Sequence, residues 1–146
     1  MYGVDGKKLS SWYKYFLSRY QGWEQLHHAS EYVLFKENLG ERLSMDETSL
    51  SQGELYTIIT NKSAHGGKGS LVAMIKGTKS EDVIYYLNHL PRTKRLKVKE
   101  ITIDLSPSMR LIAKQAFPNA TIVSDRFHVQ KLMNEAVSDL RVDLRW

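Results

Sequence analysis

A mixed α/β sheet with helices on its faces is the architecture this sequence predicts, and three observations carry it. Period-two apolar alternation marks strands over roughly 42–48, 54–61 and 69–76, joined by turns. Helical and strand-like segments then alternate along the rest of the chain, as parallel strands linked by crossovers require. Finally, two of the strand-like runs end in aspartates, Asp46 in ERLSMDETSL and Asp104 in VKEITIDLSPS.

The elements follow in order. From Ser10 to Tyr20, the residues Trp12, Tyr13, Phe16, Leu17 and Tyr20 recur at helical spacing, with Lys7, Lys8, Lys14 and Arg19 around them. This predicts a short basic helix whose aromatics pack, and a polar-aromatic stretch containing His27 and His28 leads on to Glu37. Residues 1–39 are therefore expected to be a basic helical segment, and 40–146 the sheet domain. The junction SAHGGKGS has the glycines of a hairpin loop. Lys79 to Leu90 places Val83, Ile84, Leu87 and Leu90 on one helical face, with Thr78 and Ser80 as cap candidates and Pro91 as the stop. PRTKRLKVK then reads as a basic link into a strand around 98–104. Pro107 suits the first turn of a helix running to about Phe117, and Pro118-Asn119 ends it. Ala120 to Val123 makes a fifth strand. From Arg126 the residues Val129, Leu132, Met133, Ala136, Val137 and Leu140 repeat as an apolar helical face, and Phe127 is expected in the core. That pattern still runs at Leu144 and Trp146 without a helix stop, which predicts a domain truncated before its last elements.

Strand alternation puts Ser44 and Asp46 on one face and Leu43, Met45 and Glu47 on the other; Thr102 and Asp104 likewise oppose Ile101, Ile103 and Leu105. Glu47 is accordingly expected to play a structural or salt-bridging part. If the two strands lie side by side and parallel, both carboxylates emerge at one edge, close enough to share a divalent ion, an arrangement suited to phosphoryl transfer on nucleic acid. A ribonuclease H-like fold has this element order, with its first and fourth strands adjacent. A five-stranded mixed sheet of that kind, with flanking helices and a preceding short helical segment, is the expected fold.

Composition narrows the classes. The 146 residues suit about one domain, and 42% hydrophobic content suffices for a core. Lys and Arg number 21 against 16 Asp and Glu, a formal charge of +5 that fits a polyanionic partner. The absence of cysteine excludes disulfides, thiolate metal sites and a cysteine nucleophile, and suits a reducing cytoplasm. Apolar runs are strand-sized and no charged-then-apolar leader opens the chain, so neither secretion nor a membrane span is expected.

Ser44-Met45-Asp46-Glu47-Thr48, Gly53 to Thr57, Ile103-Asp104-Leu105-Ser106-Pro107-Ser108-Met109, Phe117-Pro118-Asn119-Ala120 and Val123-Ser124-Asp125-Arg126-Phe127-His128-Val129 together resemble the DDE transposases of bacterial insertion sequences, nearest the ISL-three group. The similarity covers roughly 40–146. It implies an enzyme that cuts at transposon ends and joins the freed 3′ ends to target DNA. Asp46 and Asp104 match the first two catalytic acids and metal ligands. Mg²⁺ or Mn²⁺ in a two-metal site is the implied cofactor, and double-stranded DNA at the transposon ends and target the implied partner. A homo-oligomer acting at the bacterial nucleoid in the cytoplasm is also implied. The family's third acid, a glutamate, lies further downstream than this chain runs, so the resemblance implies inactivity of the chain alone. The other reading is a DNA-binding or interaction remnant that performs no chemistry.

Other residues divide between ordinary and functional readings. Asp46 and Asp104 themselves suit turn caps at strand ends. Asp125 suits either a helix cap or a place beside the metals. Arg126 and His128 resemble the family's DRFH run and are auxiliary candidates for DNA phosphate or an acid partner. Lys7, Lys8, Lys14, Lys94, Arg95 and Lys97 are the candidate DNA contacts. Tyr2 to Trp12 resembles the turn and second helix of a helix-turn-helix. His65-Gly66-Gly67-Lys68-Gly69 lacks the strand-to-helix context of a nucleotide loop and reads as a hairpin turn.

Overall fold

The computed structural model describes residues 5–18, 20–50 and 53–144. Six strands form one sheet in the order β1-β4-β3-β2-β5-β6: β1 Tyr32–Leu34, β2 Arg42–Ser49, β3 Leu55–Asn61, β4 Leu71–Lys76, β5 Glu100–Ile103 and β6 Thr121–Ser124. The strands β1, β4, β3 and β2 run antiparallel to their neighbours, whereas β5 lies parallel to β2 and β6 parallel to β5. This mixed sheet, with flanking helices, is consistent with a ribonuclease H-like fold.

The sheet has one strand more than the five expected. Tyr32–Leu34 joins its edge beside β4, a short run in which no residue is fully buried. Three residues give too little alternation to stand out, and the strand is specified by the ladder that β4 offers it.

Among the described residues, five α-helices accompany the sheet: α1 Gly6–Trp12, α2 Ser80–Leu87, α3 Arg92–Arg95, α4 Pro107–Ala116 and α5 Arg126–Asp143. Asp5 caps α1 by accepting the Lys7 amide. The helix begins earlier than its aromatic stripe suggested and widens into a π-helical turn at Tyr13–Leu17. Trp12 and Phe16 are exposed, not packed. Residues 2–4, the start of the helix-turn-helix resemblance, lie outside the described residues, as do Arg19 and Trp146. The basic link folds into the single turn α3, which a solvated loop would not do.

One face of the sheet builds the core. Leu43, Met45, Ile59, Ala73, Ile75, Ile101 and Ile103 are buried there with Val83 and Leu87 of α2 and Met109, Ile112, Ala113 and Ala116 of α4. Their alternation is what anchors β2 and β5 from behind. The helix α5 behaves otherwise: it leaves the sheet at Asp125, and none of its described residues is buried. Phe127, expected in the core, is 69% exposed, and Leu132, Met133, Val137 and Leu140 are exposed too. The apolar helical face is present, but nothing among the described residues covers it.

The hairpin between β3 and β4 is a 3₁₀ turn, Lys62–Ala64, capped by the Asn61 side chain accepting the Ser63 amide. His65 is left-handed there, at φ 48°, and Gly66 and Gly69 follow at 78° and 85°, conformations that glycine adopts without a Cβ clash.

Candidate functional site at the carboxyl ends of parallel strands

The register fixes where the two aspartates stand. Along the parallel pair, Leu43 is opposite Ile101 and Ser44 opposite Thr102. Asp46 and Asp104 each follow two residues beyond that last pair, Asp46 still in β2 and Asp104 just past β5. Between β5 and β6, Ile103 is opposite Ser124, and the Asp125 amide donates to the Ile103 carbonyl at 2.7 Å. One step along that ladder, Asp125 stands level with Asp104. Asp104 and Asp125 thus follow the last residues of β5 and β6, the edge at which open α/β sheets bind their ligands, whereas Asp46 does not end its strand as expected: it lies within β2, which continues to Ser49 because β3 still pairs with it.

Their hydrogen bonds are local. Asp46 Oδ1 accepts the Glu47 amide at 2.8 Å, Asp104 Oδ1 accepts the Ser106 amide at 2.8 Å at the entry to α4, and Asp125 Oδ1 accepts the Phe127 amide at 2.8 Å as the cap of α5. Asp104 and Asp125 therefore cap turns through Oδ1, whereas the Asp46 contact is to the adjacent amide within β2. For Asp46 and Asp104, the described residues supply no partner to Oδ2. Asp46 is exposed and Asp104 half-buried.

The acids sense one another. Glu47 has its carboxyl pushed above the usual range, first by partial burial and then by the negative charges of Asp104 and Asp46. Glu47 makes no ion pair among the described residues, so the salt-bridging part expected of it is not seen. Among the described residues, no group of three or more histidine, aspartate or glutamate side chains gathers closely enough to hold a metal ion. The Asp46–Asp104 pair nevertheless has the donors a hard cation prefers, carboxylate oxygens with open positions for water.

Cations stand on the same sheet face, two to four residues before the aspartates. Lys62, just past β3, reaches across β2 to donate to Thr102 Oγ1 at 2.8 Å and to Glu100 Oε1 at 3.3 Å. Arg42 also pairs with Glu100, at 3.5 Å. Neither was among the sequence candidates, because only the register of β2 between β3 and β5 brings a hairpin lysine alongside Thr102.

The other candidates scatter. Lys7, Lys8 and Lys14 are exposed on α1 and the π turn, and the Lys14 ammonium stands 5.3 Å from the Tyr20 ring centre. Lys97 is exposed, and Lys94 donates to the Lys36 carbonyl at 2.8 Å. Arg95 departs from the expected DNA contact: it is only 9% exposed, and its guanidinium donates to the Leu90 and Ala116 carbonyls. It is spent largely on carbonyls near the ends of α2 and α4 and is not the freely exposed contact expected. Arg126 is exposed, and half-buried His128 meets Phe127 edge to face. These two sit in the first turn of α5, past the aspartate row.

Comparison with known proteins gives the family. The family model for ISL3-type DDE transposases, described as a transposase, matches residues 43–146. The chain belongs to that family, whose members catalyse DNA cleavage and strand transfer. No curated protein matches it. DNA is accordingly the partner that the family implies. Among the described residues, no helix is long and apolar enough to cross a membrane.

Proposed function

We propose that the chain carries the first two carboxylates of a transposase centre that cuts and joins DNA strands at transposon ends. The observation that supports this most is the parallel register that pairs Ser44 with Thr102, from each of which an aspartate, Asp46 or Asp104, follows two residues on. Asp46 and Asp104 would hold Mg²⁺ or Mn²⁺ through the oxygens left free by their hydrogen bonds. Bound there, the cation supplies charge neutralisation at phosphorus and a lowered pKa for the attacking water or 3′ hydroxyl.

The remaining roles fall to the chain's own groups. Lys62 and Arg42 draw a phosphate group of the strand toward the aspartates, while Thr102 and Glu100 fix the direction of the lysine. Lys7, Lys8, Lys14, Lys94 and Lys97 add salt-sensitive contacts to the DNA backbone, which position the duplex without reading its sequence. Asp125 and His128 stand beside the row as auxiliary groups, and Arg126 is a phosphate contact at the start of α5. The segment before β1 belongs with DNA binding and the sheet from β1 onward with the chemistry, since Tyr32–Leu34 pairs with β4 and so moves the expected boundary at residue 40 back to before residue 32. In the assembled transposase, copies of the protein pair the two transposon ends at the bacterial nucleoid.

In-line displacement with two ions calls for more ligands than two carboxylates, so a third acid completes the centre, and the 146-residue chain alone binds DNA without cutting it. A second reading, a DNA-binding protein without chemistry, is favoured by the turn-capping bonds of Asp104 and Asp125. The test is a strand-cleavage and strand-transfer assay on transposon-end duplexes with Mn²⁺, run beside a binding assay over a salt series. Binding that weakens with salt and is preserved in Asp46→Asn, without nicking, is expected of the chain alone. Specific nicking that Asp46→Asn abolishes would overturn the need for a further acid. In a polypeptide extended to include the third acid, nicking that survives Asp46→Asn and Asp104→Asn would remove both from the centre.

A further inference from the structure

We propose that the pocket between the ends of α2, α3 and α4 is an oxyanion site that takes one phosphate group. It is a cavity of about 230 Å³ lined by Asn88, Arg92, Arg95, Leu96, Gln115 and Pro118. Four of the six carry side-chain hydrogen-bond donors, and none is acidic.

Arg95 is the central group. Its side chain is buried, with Nε donating to the Leu90 carbonyl at 3.2 Å and Nη1 to the Ala116 carbonyl at 2.7 Å. Those two bonds account for its structural work, closing carbonyls left over at two helix ends. They leave Nη2 without a protein acceptor among the described residues, open to solvent and not enclosed. Arg92 lines the same cavity. Among the described residues, no carboxylate lies within salt-bridge distance of either arginine.

Buried charges are ordinarily paired. Here desolvation, and then the neighbouring Arg92 charge, push the Arg95 guanidinium below its usual pKa, the direction expected of a cation that lacks a counter-charge. A tetrahedral oxyanion removes both penalties, because it accepts from guanidinium N–H groups in their own fork geometry. The Asn88 and Gln115 amides can donate to its remaining oxygens.

The site is distinct from the aspartate row. Because β5 and β6 are parallel, α4 runs back between them, so Gln115 lies at the opposite end of the sheet from Asp104. The ligand is therefore a phosphate group away from the chemistry, either a backbone phosphate of a bound duplex or a free phosphate. The inference holds whether or not the aspartates are catalytic.

Inorganic phosphate is titrated into the chain against chloride at matched ionic strength, following the melting temperature and the Arg95 Nε–H resonance. Saturable changes in both are expected. Arg92→Gln, at an exposed position, should weaken phosphate binding by about tenfold or more, as loss of charge-assisted hydrogen bonds implies. Gln115→Leu should weaken it less, and Lys131→Gln on α5 should leave it unchanged. If a duplex oligonucleotide displaces the phosphate, and Arg92→Gln lowers the salt slope of DNA binding by about one, the group is a DNA phosphate. If phosphate binds equally with and without the duplex, it is a free phosphate. No change beyond the chloride control, or equal changes in wild type, Arg92→Gln and Gln115→Leu, would overturn the proposal.

Discussion

Gly40 has no room for a methyl group, and that makes it a sensitive probe of how the hairpin lysine reaches the candidate site. A Cβ built there would lie 2.7 Å from Asn61 Oδ1 and 2.8 Å from Asn61 Nδ2. The amide cannot simply swing aside, because it is held at both ends: Nδ2 donates to the Asn38 carbonyl at 3.0 Å and Oδ1 accepts the Ser63 amide at 3.0 Å. Gly40→Ala therefore sacrifices both bonds, at about 0.5–1.5 kcal/mol each. Stiffening of the unfolded chain returns about 0.4–1 kcal/mol. A net loss of about 0.5–2.5 kcal/mol is expected by urea unfolding followed by circular dichroism. The sign should change in an Asn61→Ala background, where the obstacle is gone and only the unfolded-state gain remains. Additive effects in the double-mutant cycle would refute the reasoning. The Ser63 amide caps the turn that starts at Lys62, so the single variant should also weaken DNA binding if Lys62 contacts phosphate.

Two further expectations concern ions and protons. Divalent cation at about 10 mM, bound with an affinity near 1 mM, would add about 1.4 kcal/mol, which raises the melting temperature by about 3–6 °C; Asp104→Asn should remove that gain, and equal Mn²⁺ shifts in wild type and variant would assign the binding elsewhere. Glu54 has its carboxyl held below the usual range by hydrogen bonds from Lys76 and then Tyr56. The stability this contributes is complete above the ordinary carboxylate pKa of 4.5 and is lost as pH falls through the lowered value. Lys76→Met should bring the Glu54 carbon-13 titration midpoint up toward that ordinary range, and an unmoved midpoint would show that the ammonium is not the cause.

Local pattern determined most of the secondary structure and singled out the two aspartates proposed as leading acids. Leu43, Met45, Ile101 and Ile103 alternate, so β2 and β5 were readable as half-buried strands, and the same alternation put Asp46 and Asp104 on the opposite face. Pro107 announced α4, and the glycines after His65 announced the hairpin. These signals depend on neighbours within a few residues. The tertiary structure decided what depends on partners distant in sequence. β1 exists as a strand because β4 pairs with it, and Lys62 belongs beside Thr102 only once β2 is inserted between β3 and β5. Arg95 shows the difference most plainly: in sequence it is one cation in a basic run, yet its chain direction in α3 turns it inward to two helix ends, leaving Arg92 exposed at the mouth of the same pocket. For α5 the apolar stripe was legible but its burial was not, because periodicity fixes which side chains share a face, and only a packed neighbour removes that face from water.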